Sequence, residues 1–185
     1  MKQSDLLDGN EVELWEDGHR LDLKERIDGF GLRLTYATNL FLRAKKKVKG
    51  PIILGAPKGN YKVEDYYEII EGDGEFIINP RDFVLGATAE RIVQRGCCGI
   101  LSRQVPKTLT GLVPHLAGFI NPYWGGTITT EMMASSRVCI ERGMDAMYLL
   151  FHEFAGPKGE KEEGSYLDQG KPIPQPPKMF KPLNI

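Results

Sequence analysis

From Gly31 to Phe151 the apolar residues fall in short runs, and glycine, proline and asparagine recur between them. Such punctuation leaves little room for long helices and fits short strands joined by tight turns. Gly31-Leu32-Arg33-Leu34-Thr35-Tyr36 alternates as a half-buried strand does, and Phe41-Leu42-Arg43 follows closely. Further strands are expected at Pro51–Leu54, Phe76–Ile78, Asp82–Thr88, Glu90–Val93, Cys97–Leu101, Leu112–Leu116, Thr127–Met133, Arg137–Ile140 and Ala146–Phe151. Glu71-Gly72-Asp73-Gly74 has the composition of a hairpin turn, Ala44–Gly50 that of a lysine-rich solvated loop, and Lys58–Asn60 that of a turn. Tyr61–Ile70 fits strand and helix equally, and Pro106–Leu109 fits one helical turn. No helical repeat and no alternation of strand with helix is visible, so the pattern predicts a mainly β barrel or sandwich.

The two ends differ from this middle. Ser4 can cap a short N-terminal helix running to about Trp15, with Gly18 to end it. Six of the 12 prolines lie from Pro157 onward, Lys158–Glu163 is a charged run, and Lys171–Lys178 is polyproline-like. The expected organisation is one β domain over residues 1–155 and a proline-rich C-terminal arm over 156–185. That arm is either an extended end or a segment that packs on a neighbouring subunit or closes over a site.

With a formal net charge of −1, no long-range field recruits nucleic acid or an anionic membrane. An anionic ligand must be held by a local cluster. Three cysteines, two of them adjacent at Cys97 and Cys98, do not make a disulfide framework and fit buried reduced thiols. No apolar run is long enough to span a bilayer, and the charged N-terminus lacks a signal-peptide core. A cytoplasmic protein is expected.

Several chemistries are missing their residues. A zinc nucleobase deaminase needs His-x-Glu and Pro-Cys-x-x-Cys, whereas His152-Glu153 is contiguous and no Cys-x-x-Cys occurs. Three scattered histidines supply no zinc set. Gly55-Ala56-Pro57-Lys58-Gly59 is too short for a phosphate-binding Walker loop, and no Gly-x-Ser-x-Gly elbow exists. His115, alone in an apolar strand, suits a structural role.

The segment Gly111–Glu131 carries the remaining chemistry. It reads as a strand, an Asn121-Pro122 turn, the aromatic pair Tyr123-Trp124, two glycines and a second strand bearing Glu131 between threonines and methionine. Such a segment brings a turn, a flat side chain and a carboxylate close together. If Glu131 faces solvent it does nothing; if it faces a cleft, partial burial lifts its pKa and it removes a proton from water. Trp124 is either a wall for a sugar or base, or part of the core.

These residues resemble the trimeric dCTP deaminase and dUTPase superfamily, more the deaminase branch. Glu25–Leu34 resembles its early strand, and Asp82–Glu90 its leucine-x-x-threonine-x-glutamate strand. Ile120–Glu131 resembles its isoleucine-aspartate-proline-glycine-aromatic segment, Gly143-Met144 its proline-glycine-methionine turn, and Tyr166–Lys171 its tyrosine-x-x-glutamine tail. The resemblance implies a β-clip, dUTPase-like distorted barrel forming a homotrimer with nucleotide sites between subunits. It implies hydrolytic deamination of dCTP to dUTP and ammonia without a catalytic metal, Glu131 acting as general base at cytosine C4. Trp124 would pack on the deoxyribose. Arg103 and Lys107 would hold phosphates, Asn121 would contact the nucleotide, and Tyr166 and Gln169 would fold over a triphosphate accompanied by Mg2+.

The chain also departs from that pattern. An arginine-serine-serine run and a second arginine are expected where it reads Ser102-Arg103-Gln104-Val105-Pro106-Lys107-Thr108-Leu109. Arg103 matches the first arginine, and Lys107 is displaced by one and cannot form a bidentate fork. The turn aspartate is Asn121, the turn glycine is Tyr123, and a basic residue is replaced by Phe119. Two alternatives therefore stand beside deamination. One is a non-catalytic nucleotide-binding trimer. The other is a dUTP pyrophosphatase, against which Asn121 argues because that chemistry uses a carboxylate there.

Overall fold

A computed structural model describes residues 12–28, 31–48, 50–95, 97–103, 110–115, 118–153, 174 and 176–181, with the backbone alone at 97–103, 115 and 153. The expectation of a mainly β fold is met. In chain order the strands are β1 (Val12–Glu16), β2 (His19–Arg20), β3 (Ile27–Asp28), β4 (Gly31–Ala44), β5 (Tyr67–Glu71), β6 (Glu75–Ile78), β7 (Phe83–Thr88) and β8 (Arg91–Gln94). They continue with β9 (Cys97–Arg103), β10 (Leu112–His115), β11 (Phe119–Ile120), β12 (Gly125–Gly126), β13 (Thr129–Ala134), β14 (Val138–Glu141) and β15 (Asp145–Glu153). Among the described residues two single-turn helices, Leu23–Arg26 and Val63–Tyr66, interrupt them. The first is capped by the Asp22 carboxylate, which accepts from the Lys24 N–H at 2.9 Å.

The large sheet curls around β4 in the order β10-β13-β7-β4-β15-β9-β11, with β3 and β5 also paired to β4. A four-stranded sheet, β12-β8-β1-β2, and a β14-β6 pair accompany it among the described residues. β4 meets so many partners because it is long and almost wholly buried. Its register against β7 shifts between Ala37 and Leu42. Before the shift Leu32, Leu34 and Tyr36 face the main core; after it Phe41 does, stacked on Phe76 with centroids 3.9 Å apart. Leu42 then turns to a second cluster with Val63, Tyr66, Tyr67, Leu85 and Phe180. Shifted pairing of this kind reverses which alternate residues point inward. One strand thereby feeds two hydrophobic cores.

Several local expectations change. Val12–Glu16 is a strand, not the end of a helix, because Val12 and Leu14 alternate into the core and Asp17-Gly18 turns the chain back into β2. Residues 1–11 lie outside the described part. Pro51–Leu54 is loop, with Ile53 and Leu54 exposed, since the segment has no ladder partner in the described sheets. Tyr61–Ile70 divides into a helical turn and β5. Glu71–Gly74 does turn the chain but joins no hairpin, because β5 pairs with β4 and β6 with β14. Gly72 is required there by close approach: a Cβ would stand 2.0 Å from the Thr38 carbonyl oxygen. Cys139 on β14 is exposed rather than buried, with its thiol pushed up by desolvation and by the Glu75 and Glu141 carboxylates. Pro106–Leu109 falls outside the described residues.

From the C-terminal region, Phe180 is buried in the second cluster, its ring 5.6 Å from those of Tyr61, Tyr66 and Tyr67. Tyr61 donates its N–H to the Met179 carbonyl, and its own carbonyl accepts from Lys181. These bonds fasten residues 178–181 beside 59–61.

Candidate functional site

Alternation decides where Glu131 points. Thr130, Met132 and Ala134 of β13 are buried, so Glu131 and Met133 project from the opposite, exposed face. Directly across, Glu131 pairs with Leu85 of β7 on one side and with His115 of β10 on the other. Leu85 belongs to the second cluster, which places the carboxylate at that cluster's rim. Tyr67 of the same cluster feels it: burial first, and then the Glu131 charge, push the Tyr67 phenol above its ordinary range. The single chain leaves Glu131 exposed, so the partial burial expected of a base is not supplied by its own fold. Val113 and Met133, paired across β10 and β13, are exposed apolar neighbours on this sheet.

The turn that precedes it is built differently. Pro122 and Tyr123 turn the chain, and Tyr123 takes φ 63°, in the left-handed region. Trp124 is half-buried against the main core, and its indole N–H donates to the Gly126 carbonyl at 3.3 Å. Asn121 is exposed, and its backbone carbonyl accepts from the Gln94 side chain at 2.6 Å. Gly125 and Gly126 then pair with β8 in the four-stranded sheet, while Glu131 lies in the large one. The chain changes sheet between them. Trp124 therefore packs on the core and Glu131 projects from the far face of β13, contrary to the close grouping expected within one chain. Arg103 ends β9, in register with Met147 of β15. Lys107, Tyr166 and Gln169 lie outside the described residues.

Sequence reasoning passed over a second carboxylate. Glu90 is wholly buried and accepts from the Thr35 N–H and hydroxyl, both at 2.8 Å, with the Arg26 guanidinium at 3.2 Å. Burial pushes its pKa up, opposed by the Thr35 hydrogen bonds and by Arg26. Arg26 also reaches Glu16 at 3.3 Å. A cavity of about 400 Å³ lies alongside, lined by residues that include Arg26, Thr35, Thr38, Asp73 and Arg142, and none of its described lining residues belongs to β13. Glu90 was visible only as part of the Asp82–Glu90 motif; its partners lie 55 and more residues away in sequence. Among the described residues no group of three or more His, Cys, Asp or Glu is arranged to hold a metal ion. No helix of the described residues is long and apolar enough to cross a membrane.

A mainly β chain curled around one long strand, with turn and carboxylate on separate sheets, defines a dUTPase-like fold. A solved structure of 2'-deoxycytidine 5'-triphosphate deaminase from Agrobacterium tumefaciens shares it, with a TM-score of 0.62 at 17% identity, covering 70% of this chain and 43% of that one. A family model described as dCTP deaminase-like matches residues 22–154, and the chain belongs to that family. It is 34% identical over 132 residues to a protein of Haloarcula marismortui named dCTP deaminase, covering 66% of this chain and 67% of that one. It is 32% identical over 126 residues to a Halobacterium salinarum protein named dCTP deaminase, dUMP-forming, covering 63% and 65%. The chain thus spans about two thirds of these relatives' length.

Proposed function

We propose that this protein is a deoxynucleotide-processing hydrolase that deaminates dCTP to dUTP and ammonia, with Glu131 as general base. The observation that carries the reading is the position of that carboxylate. It stands on an exposed sheet face beside Val113 and Met133, at the rim of the cluster that holds Tyr67. A face of this kind suits coverage by a second copy, which would bury the carboxylate and bring another subunit's nucleotide contacts to it. The separation of Trp124 from Glu131 within one chain agrees with a homotrimer whose sites lie between subunits.

In this reading Glu131 takes a proton from water as the oxygen bonds to cytosine C4. The C4=N3 double bond opens as the oxygen adds and re-forms as the amino group takes the proton and leaves as ammonia; the hydroxyl proton then moves to N3 to give the uracil ring. Arg103 and Lys107 hold the phosphates, Asn121 contacts the nucleotide, and Trp124 packs on the deoxyribose and disfavours a 2'-hydroxyl. Tyr166 and Gln169 come from the arm after residue 155. Mg2+ travels with the triphosphate, bound by its oxygens. A deoxynucleotide substrate is met in the cytoplasm, the location this reading implies.

Ammonia release from dCTP is the decisive assay. Glu131→Gln is expected to lower it by about 10²-fold or more while light scattering still reports the wild-type oligomer. Unchanged release in that variant would end the mechanism. Relatives named as dUMP-forming favour a second outcome, in which pyrophosphate accompanies ammonia; a pyrophosphate assay on the same samples separates dUTP from dUMP as product. Tight dCTP binding with no ammonia would instead identify a non-catalytic nucleotide-binding trimer.

A further inference from the structure

Gln94 closes β8 with its side chain almost completely buried. Its amide nitrogen donates to the Asn121 carbonyl at 2.6 Å and approaches the Ile120 carbonyl at 3.5 Å. Its backbone N–H donates to the Trp124 carbonyl at 2.9 Å. One residue thus grips both ends of the Asn121–Trp124 turn. Because both neighbours of the amide are acceptors, the nitrogen must face the turn. This orientation leaves the buried amide oxygen without a partner among the described residues. Such an arrangement carries a desolvation cost and persists where the donor side is needed.

The need is visible in the turn itself. Pro122 fixes its own φ, and Tyr123 follows at φ 63°. That pairing suits a turn with glycine in third place, and a tyrosine there has a Cβ that disfavours the left-handed region. Pro122 pre-sets the first half of this turn, but Tyr123 resists the second half, so bonds from outside are needed to hold it.

We propose that Gln94 is a positioning residue: it locks the Asn121–Trp124 turn in a conformation that Tyr123 resists, and so fixes where Trp124 and Asn121 meet the nucleotide. The second half of this claim rests on the nucleotide-binding reading above; the clamp itself does not.

The test is a double-mutant cycle on the full chain with Gln94→Met and Tyr123→Gly. The first removes the donor at similar length, and the second relieves the strain. Two readouts are taken: equilibrium binding of dCTP, and the fluorine spectrum of protein carrying 5-fluorotryptophan, in which Trp15 is an internal reference. Gln94→Met alone is expected to weaken dCTP binding by about ten-fold, the order of one buried hydrogen bond, and to shift and broaden the Trp124 signal. In the Tyr123→Gly background the same change is expected to cost about two-fold or less and to leave the Trp124 signal sharp. Equal losses in both backgrounds, or an unmoved Trp124 signal in Gln94→Met, would overturn the clamp. Should Gln94→Met fail to fold, recovery in the double variant supports the proposal and failure there refutes it. Wild-type protein that does not bind dCTP would refute the nucleotide reading instead, while the fluorine signal still judges the clamp.

Discussion

Glu90 and Glu131 are both strand-associated carboxylates that follow a threonine by one or two residues, yet the fold treats them in opposite ways. Glu90 is sealed inside, held by Thr35 and Arg26 and lifted in pKa by burial. Glu131 stands outside on a sheet face with an apolar cluster at its shoulder. A carboxylate whose oxygens are engaged by the protein's own donors serves the scaffold. One left facing outward is available to water and ligand. Attention to residue type alone selects neither; partners do.

The contrast predicts opposite mutational signatures. Glu90→Ala should lose about 2–4 kcal/mol, because it leaves the buried Thr35 N–H and hydroxyl without their acceptor, while Arg26 keeps Glu16. A urea titration would show it. Glu131→Gln should change stability in the same titration by about 0.5 kcal/mol or less while lowering turnover by about 10²-fold or more. Similar stability losses in the two variants would erase the distinction.

Phe180→Ala attacks the outer face from behind. It should cost about 3 kcal/mol as a large-to-small change in a packed cluster, and it should lower turnover by loosening Tyr67 beside Glu131. Denaturation and ammonia release measured together would show both effects; full turnover in this variant would detach the cluster from the site.

Proton linkage sharpens the comparison further. The folded-state pKa of Glu90 is raised, so the native chain holds its proton more tightly than the unfolded one. Its contribution to stability therefore improves as pH falls from neutral through that raised value toward the ordinary carboxylate range. Above the raised value the full cost of a buried charge applies. Subtracting the stability profile of Glu90→Gln from that of wild type should reveal a difference that shifts in favour of wild type as pH falls. A flat difference would contradict the assignment.

The smallest effect concerns Tyr67. Neutralising Glu131 removes one of two causes that raise its phenol, so in Glu131→Gln the Tyr67 ionisation should move to lower pH, while burial still keeps it above the free value. Carbon-13 labelled tyrosine would report it, and an unmoved titration would separate the two side chains.

The β class was legible because period-two alternation and turn residues are local signals, as at Gly31–Tyr36 and Asn79-Pro80. What was not legible depends on partners distant in sequence. Val12–Glu16 resembles a helix end until β8 pairs with it. Glu71–Gly74 resembles a hairpin until β5 and β6 are seen to pair elsewhere. In the candidate site, alternation within Thr129–Ala134 could assign Glu131 to the polar face. The change of sheet after Gly126 could not be read from glycines alone. Gln94 gave no signal at all, since its role is defined by carbonyls 26 and 27 residues downstream.

Phe180 has one further consequence, for the order in which the molecule matures. It seals a cluster whose other members, Leu42 to Leu85, are synthesised far earlier. Chain emerging vectorially must carry that greasy hollow open until its closing piece arrives. A contact spanning so much sequence forms late, because the loop it closes must first be ordered. The wall beside Glu131 thus sets only after Phe180 has been made, and biogenesis itself holds back the outer face until then.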